Sequence, residues 1–169
     1  MKELIEKHEK SVTIGLIILY VVVNSYCLNN FGTTDYKSAI INTVFSLGLI
    51  ALMLCLKRTK YYGLTKIKNA KGYLFFIPLL LIASVNLWNG INMNNTRREV
   101  MFHFIMMVNV GFIEEVIFRG FLFKLMEKSN VKSAMIVSAL TFGVGHIANL
   151  FTGADVVQTL LQICYATTI

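Results

Sequence analysis

The sequence predicts an all-α fold, a polytopic transmembrane helix bundle of about six apolar segments. Three observations carry this. The chain of 169 residues is 56% hydrophobic and only 15% charged, with mean hydropathy +0.63. Soluble domains carry about 25% charged residues. The apolar residues fall into separate blocks, most long enough to span ~30 Å of hydrocarbon at ~1.5 Å per residue. Lys and Arg are shared unequally between alternate loops. With one Pro, no Ser/Gly-rich or acidic tract and no internal repeat, residues 1–169 read as one membrane domain.

The first segment, Ser11–Leu28, follows a leader charged in both signs, Met1–Lys10. No small-x-small cleavage site follows it, and Tyr26 before Cys27 does not suit a lipoprotein site, so it reads as a retained anchor. Ser38–Leu56 is the second segment. A loop carrying Lys57, Arg58, Lys60, Lys66, Lys68 and Lys71 and no acidic residue separates it from the third, Gly72–Trp88. Val100–Phe123 and Val131–Phe151 are the fourth and fifth. The sixth, Val156–Ile169, ends on Ala166-Thr167-Thr168-Ile169 without a polar flank. A spanning helix normally runs on to an interface anchor, so the expectation is a chain truncated within this helix.

With the N-terminus inside, twelve of the sixteen Lys and Arg lie on the inner side, and Lys37, Arg97 and Arg98 on the outer side. This asymmetry predicts a cytoplasmic N-terminus in a cell membrane, with Arg97-Arg98 the dissenting pair. The net charge of +7 is accounted for by positive-inside loops that also suit anionic headgroups, not by nucleic-acid binding. Cys27, Cys55 and Cys164 are odd in number, lack a Cys-x-x-Cys and read as buried small side chains.

Glu114, Glu115 and Arg119 are the only formally charged residues between Val100 and Phe123. A charge at the bilayer centre costs about 2.5–3.5 kcal/mol on insertion scales, so three together point to function at membrane depth. Glu115 and Arg119 are i,i+4 neighbours able to pair, and Glu114 is turned ~100° away toward another partner. A paired carboxylate is structural, while an unpaired one can exchange a proton. The plainer alternative is a salt-bridged helix in a bundle interior.

His146 lies on the fifth segment one turn after Phe142, with Gly143 and Gly145 expected to let the Glu114 helix approach. A Glu and a His can hold and deprotonate one water, directly or through a metal. The plain reading is a His hydrogen-bonded to a neighbouring helix. His103 lies ~16 Å from Glu114 along the axis and reads as interfacial; His8 reads as solvated. There is no Gly-x-Ser-x-Gly, phosphate loop or His-Glu-x-x-His.

Glu114-Glu115-Val-Ile-Phe-Arg119, followed by Phe142-Gly-Val-Gly-His146, resembles the CPBP family, the CAAX proteases and bacteriocin-processing enzymes also called Abi. The resemblance covers Val110–Phe151 and includes Gly120 and Asn149. It implies an intramembrane endopeptidase in which Glu114 activates water and His146 is its partner or a metal ligand. Glu115 and Arg119 would be the supporting ion pair, and Phe142 and Asn149 would pack or position substrate. It leaves open whether zinc or another divalent metal, held by Glu114 and His146, takes part. The family's third motif, His-x-x-x-Asn or Asp, does not follow His146; it would lie beyond Ile169, and without it the chain as given is expected to be weak or inactive.

The partners implied are the lipid bilayer and a peptide or membrane-protein substrate. Frequent Lys, Asn and Ile suit a bacterial source, where such proteins serve peptide maturation or bacteriocin self-immunity. Two rival readings are a non-catalytic immunity or scaffold protein of the same fold, and a transporter whose buried charges carry ions.

Overall fold

The structure is a computed structural model and describes residues 8–64, 70–78, 81 and 95–168. Most of the expected third segment, Gly72–Trp88, lies outside these residues, as do Lys2, Lys7, Lys66 and Lys68. The described elements are helical. They are α1 (Glu9–Asn30), α2 (Tyr36–Cys55), a 3-10 turn (Ala70–Phe76), α3 (Arg97–Glu114), a π-helix (Glu115–Leu122), α4 (Phe123–Glu127), α5 (Val131–Gly145), a second 3-10 turn (His146–Thr152) and α6 (Val156–Thr168).

Four continuous helical stretches are long and apolar enough to cross a membrane: Glu9–Asn30, Tyr36–Cys55, Arg97–Glu127 and Val131–Phe151. Their outward faces are apolar, with Ile18, Phe104 and Phe151 all exposed. In water such a surface would be a liability; against lipid tails it is what the solvent requires. The chain is a membrane protein.

Polar caps explain why helices begin where they do. Asp35 accepts from the Lys37 amide at 2.8 Å and starts α2. Thr96 and Glu99 form a reciprocal capping box at the head of α3. Arg97 and Arg98, expected in the outer loop, therefore form the first turn of that helix. Asn130 accepts from the Ser133 amide and starts α5. The last helix is shorter than a span, at 13 residues.

The core lies where the π-helix meets α1 and α2. Ile113, Val116, Ile117, Phe118, Phe121 and Leu122 are buried against Tyr20, Leu49, Met53, Leu56 and Tyr62. Phe121 stacks on Tyr62 with ring centroids 4.2 Å apart. Of the three cysteines, Cys27 is buried as expected, but Cys55 and Cys164 are exposed on helix faces. A thiol is apolar enough for either setting.

One end of the bundle is tied by Glu9. Its side chain, only 12% exposed, accepts from Lys128 Nζ at 2.5 Å and lies 3.7 Å from Arg58. The start of α1, the loop after α2 and the turn before α5 thus meet at one cationic end. The Glu9 hydrogen bond holds the Lys128 amine above its ordinary range. Its contribution is therefore present at neutral pH and lost only as strong base deprotonates the amine. Glu9→Gln is expected to lower stability by ~1 kcal/mol, since the cations are themselves part-exposed. Thermal unfolding in detergent, with Lys128→Gln and the double variant, checks this; additive losses would show no coupling.

Candidate active site

The site begins where α3 gives way to the π-helix. An i→i+5 turn is wider than an α turn, and such segments recur at functional sites. The Phe123 amide bonds to Phe118 O, the signature of that wider turn. Glu114 is the last α residue and Glu115 the first π residue. The two adjacent carboxylates thereby enter different environments.

Glu114 is half-buried and turned toward α1, where Tyr20 Oη donates to its Oε1 at 2.7 Å. Glu115 faces outward and pairs with Arg119, their side chains 60% and 45% exposed. The expected pairing of Glu115 with Arg119 is present. The bundle-interior setting considered for it is not: the pair lies on the rim. The salt bridge borders a different hollow, with Tyr62, Phe112 and Lys124.

His146 does not sit within an apolar α-helix, as the sequence suggested. It follows the last residue of α5 and opens the 3-10 turn. Two ring contacts place it. Phe118 of the π-helix meets Phe142 of α5 at 5.3 Å, and Phe142 meets the His146 ring edge-on at 5.2 Å. Phe142 is the packing link between the Glu114 segment and His146.

The two glycines act differently from expectation. A Cβ on Gly143 would collide with Thr167 Oγ1 and lie 3.1 Å from Ile163 O, so Gly143 admits α6 rather than the Glu114 helix. A Cβ on Gly145 would meet nothing within 4 Å. Gly143→Ala is thus expected to cost about 1–3 kcal/mol by overpacking, while Gly145→Ala leaves the thermal midpoint nearly unchanged. Melting both variants side by side checks this, and equal midpoints would contradict the close α5–α6 approach.

Between these elements lies a small cavity of about 30 Å³, lined by Tyr20, Asn24, Glu114, Phe142, His146 and Asn149 among others. That is room for one or two waters, in a polar setting. Asn24 Oδ1 is buried there and has no hydrogen-bond partner among the described residues. Asn149 also donates to Gln162 Oε1 at 2.9 Å, tying the 3-10 turn to α6. A wider cavity of about 480 Å³ opens from Glu114 between Phe118, Phe123, Met135, Ala139 and Phe142. Arg119 borders this wider space. A third hollow, on the α6 side, is lined by Glu114, His146, Gln158, Gln162 and Tyr165 among others. Glu114 borders all three.

The structure therefore brings Glu114, Phe142, His146 and Asn149 together around the small cavity and turns Glu115 away, while Arg119 borders the wider cavity and not the small one. His103 is exposed on α3 and takes no part. Tyr20 and Asn24 were missed by sequence reasoning. Their signal was present: two polar side chains at i,i+4 in a largely apolar segment. A catalytic zinc takes three protein ligands. Glu114 and His146 provide two, and among the described residues no group of three His, Cys, Asp or Glu converges. This donor set falls one ligand short of such a centre.

Comparison with known proteins agrees with this geometry. No curated protein and no solved structure matches the chain. Residues 96–169 match the family model of the Rce1-like type II CAAX prenyl endopeptidases, a region that holds Glu114, Glu115, Arg119, Phe142, His146 and Asn149. The part of this membrane protein that carries the site, residues 96–169, is thus similar to the type II CAAX prenyl endopeptidases.

Proposed function

We propose that the protein is an intramembrane endopeptidase that hydrolyses a peptide bond in or beside the bilayer with a water held between Glu114 and His146. The observation that carries this is the small cavity they share, which has room for about that much water. Glu114 takes a proton from the water, and the oxygen attacks the scissile carbonyl carbon. The tetrahedral adduct collapses, the C–N bond breaks, and Glu114 passes its proton to the departing amine. His146 donates a ring N–H to the water oxygen and fixes its lone pairs, with the ring itself restrained by Phe142. Glu115 supports the helix from outside through Arg119, which also borders the wider cavity.

The wider cavity is the path for substrate. Phe118, Phe123, Met135, Ala139 and Phe142 in its walls suit an apolar stretch of peptide arriving from between helices, with Arg119 and Lys124 also on its lining. The cationic end with Arg58, Lys124 and Lys128 faces the cytoplasm in this reading, in keeping with the positive-inside rule. In a bacterial cell the activity would serve peptide maturation or bacteriocin self-immunity. The test is to incubate the purified protein in liposomes with single-span reporter peptides and read new termini by mass spectrometry. Products that appear with the unmodified chain and vanish with Glu114→Ala and His146→Ala support a protease. Immunity retained by both variants would instead favour a scaffold.

A further inference from the structure

We propose that α1 supplies two positioning residues to this site: Tyr20, which orients Glu114, and Asn24, whose buried oxygen accepts a hydrogen bond from the water that Glu114 deprotonates. The assignment rests on Glu114 being the base. It concerns a helix outside residues 96–169, the part that matches the family.

Three observations lead to it. Tyr20 is buried, yet its hydroxyl reaches Glu114 Oε1 at 2.7 Å across 94 residues of sequence. With Oε1 engaged by Tyr20, Oε2 is the oxygen assigned to the water. Asn24, one turn further along the same face, brings a buried oxygen with no partner among the described residues. A buried acceptor of this kind costs about 1–3 kcal/mol unless something donates to it. Both residues line the small cavity that Glu114 and His146 line.

The valences of one water then close. It donates one hydrogen to Glu114 Oε2 and the other to Asn24 Oδ1. It accepts from the His146 ring N–H. One lone pair remains, and it is the nucleophile. Without Asn24 the second hydrogen is unheld and the lone pair swings. Without Tyr20 the carboxylate rotates and presents either oxygen. Both residues act through other groups, so the effect falls on the chemical step and not on substrate binding.

The experiment uses the full chain in liposomes and two readouts. Infrared difference spectra in H₂O and D₂O isolate the Glu114 carboxyl band as the one lost in Glu114→Gln. Tyr20→Phe is expected to move that band to higher wavenumber through loss of a donor. Asn24→Leu is expected to shift it by freeing the shared water; Asn24→Ala serves if the leucine variant fails to fold. A band unmoved by Tyr20→Phe or by the Asn24 variant overturns the corresponding assignment, whether or not any peptide is cut. Cleavage of a reporter peptide supplies the second readout. Tyr20→Phe should lower kcat about 10–100-fold and Asn24→Leu about 5–10-fold, with KM unchanged. Full kcat in these variants alongside a dead Glu114→Gln would sink the inference alone. Full activity in Glu114→Gln would sink the function on which it rests.

Discussion

Glu114→Gln is expected to reduce cleavage by about 10²–10⁴-fold, the usual contribution of a positioned general base. Glutamine keeps the shape of the side chain and an oxygen for Tyr20 to bond, but it cannot take a proton from water. The same exchange one residue later, Glu115→Gln, should cost only about twofold. Glu115 is exposed and its partner is Arg119, and exposed i,i+4 pairs on helices are worth ~0.3–0.5 kcal/mol. The check is initial cleavage rate for both variants at matched protein concentration, with melting temperatures to confirm folding. Two neighbouring glutamates of equal importance would mean that the outward setting of Glu115 is not the working one.

His146→Ala is the second large effect, expected at about 10²–10³-fold on kcat. In the proposed mechanism the ring supplies the hydrogen bond that fixes the water, and a methyl group supplies none. Stability should fall by only about 0.5–1.5 kcal/mol, the worth of one edge-on aromatic contact with Phe142. His146→Gln, which keeps an N–H donor on a longer arm, should recover part of the rate. Single-turnover kinetics separate these losses from weaker binding. A His146→Ala variant that unfolds along with its loss of activity would assign the residue to packing instead.

How far these residues could be read without coordinates follows from the physics of each. The spans were legible because hydropathy is a sum over some twenty residues, and no single contact alters it. Val131–Phe151 came out with both ends as expected, whereas α1 and α2 begin two residues earlier than their apolar cores. Glu114 and His146 stood out in the sequence because charge and imidazole are costly in an apolar segment, though nothing there showed that His146 would open a 3-10 turn. The different fates of Glu114 and Glu115 were only half legible. A helical wheel separates them by ~100°, but not which one meets Tyr20. The π-helix was illegible, since Val-Ile-Phe-Arg-Gly-Phe-Leu is equally good α sequence; the wider turn is set by what packs around it. Gly143 was recognised as a close-approach residue but assigned the wrong neighbour, because small residues mark an interface without naming the helix across it.

The contact between Tyr20 and Glu114 also has a consequence for biosynthesis. The two residues are separated by 94 positions, and Glu9 and Lys128 by 119. At about 5–20 residues per second, a ribosome takes roughly 5–20 s to cover the first of these gaps. Through that interval α1 is already made, and the hydroxyl of Tyr20, the amide of Asn24 and the carboxylate of Glu9 await the groups they will meet. Such polar groups invite holdase chaperones, or transient pairing with other nascent helices, until the later spans arrive. The pocket shared by Tyr20, Asn24, Glu114 and His146 therefore cannot assemble until the helices carrying Glu114 and His146 have followed α1 into the bilayer.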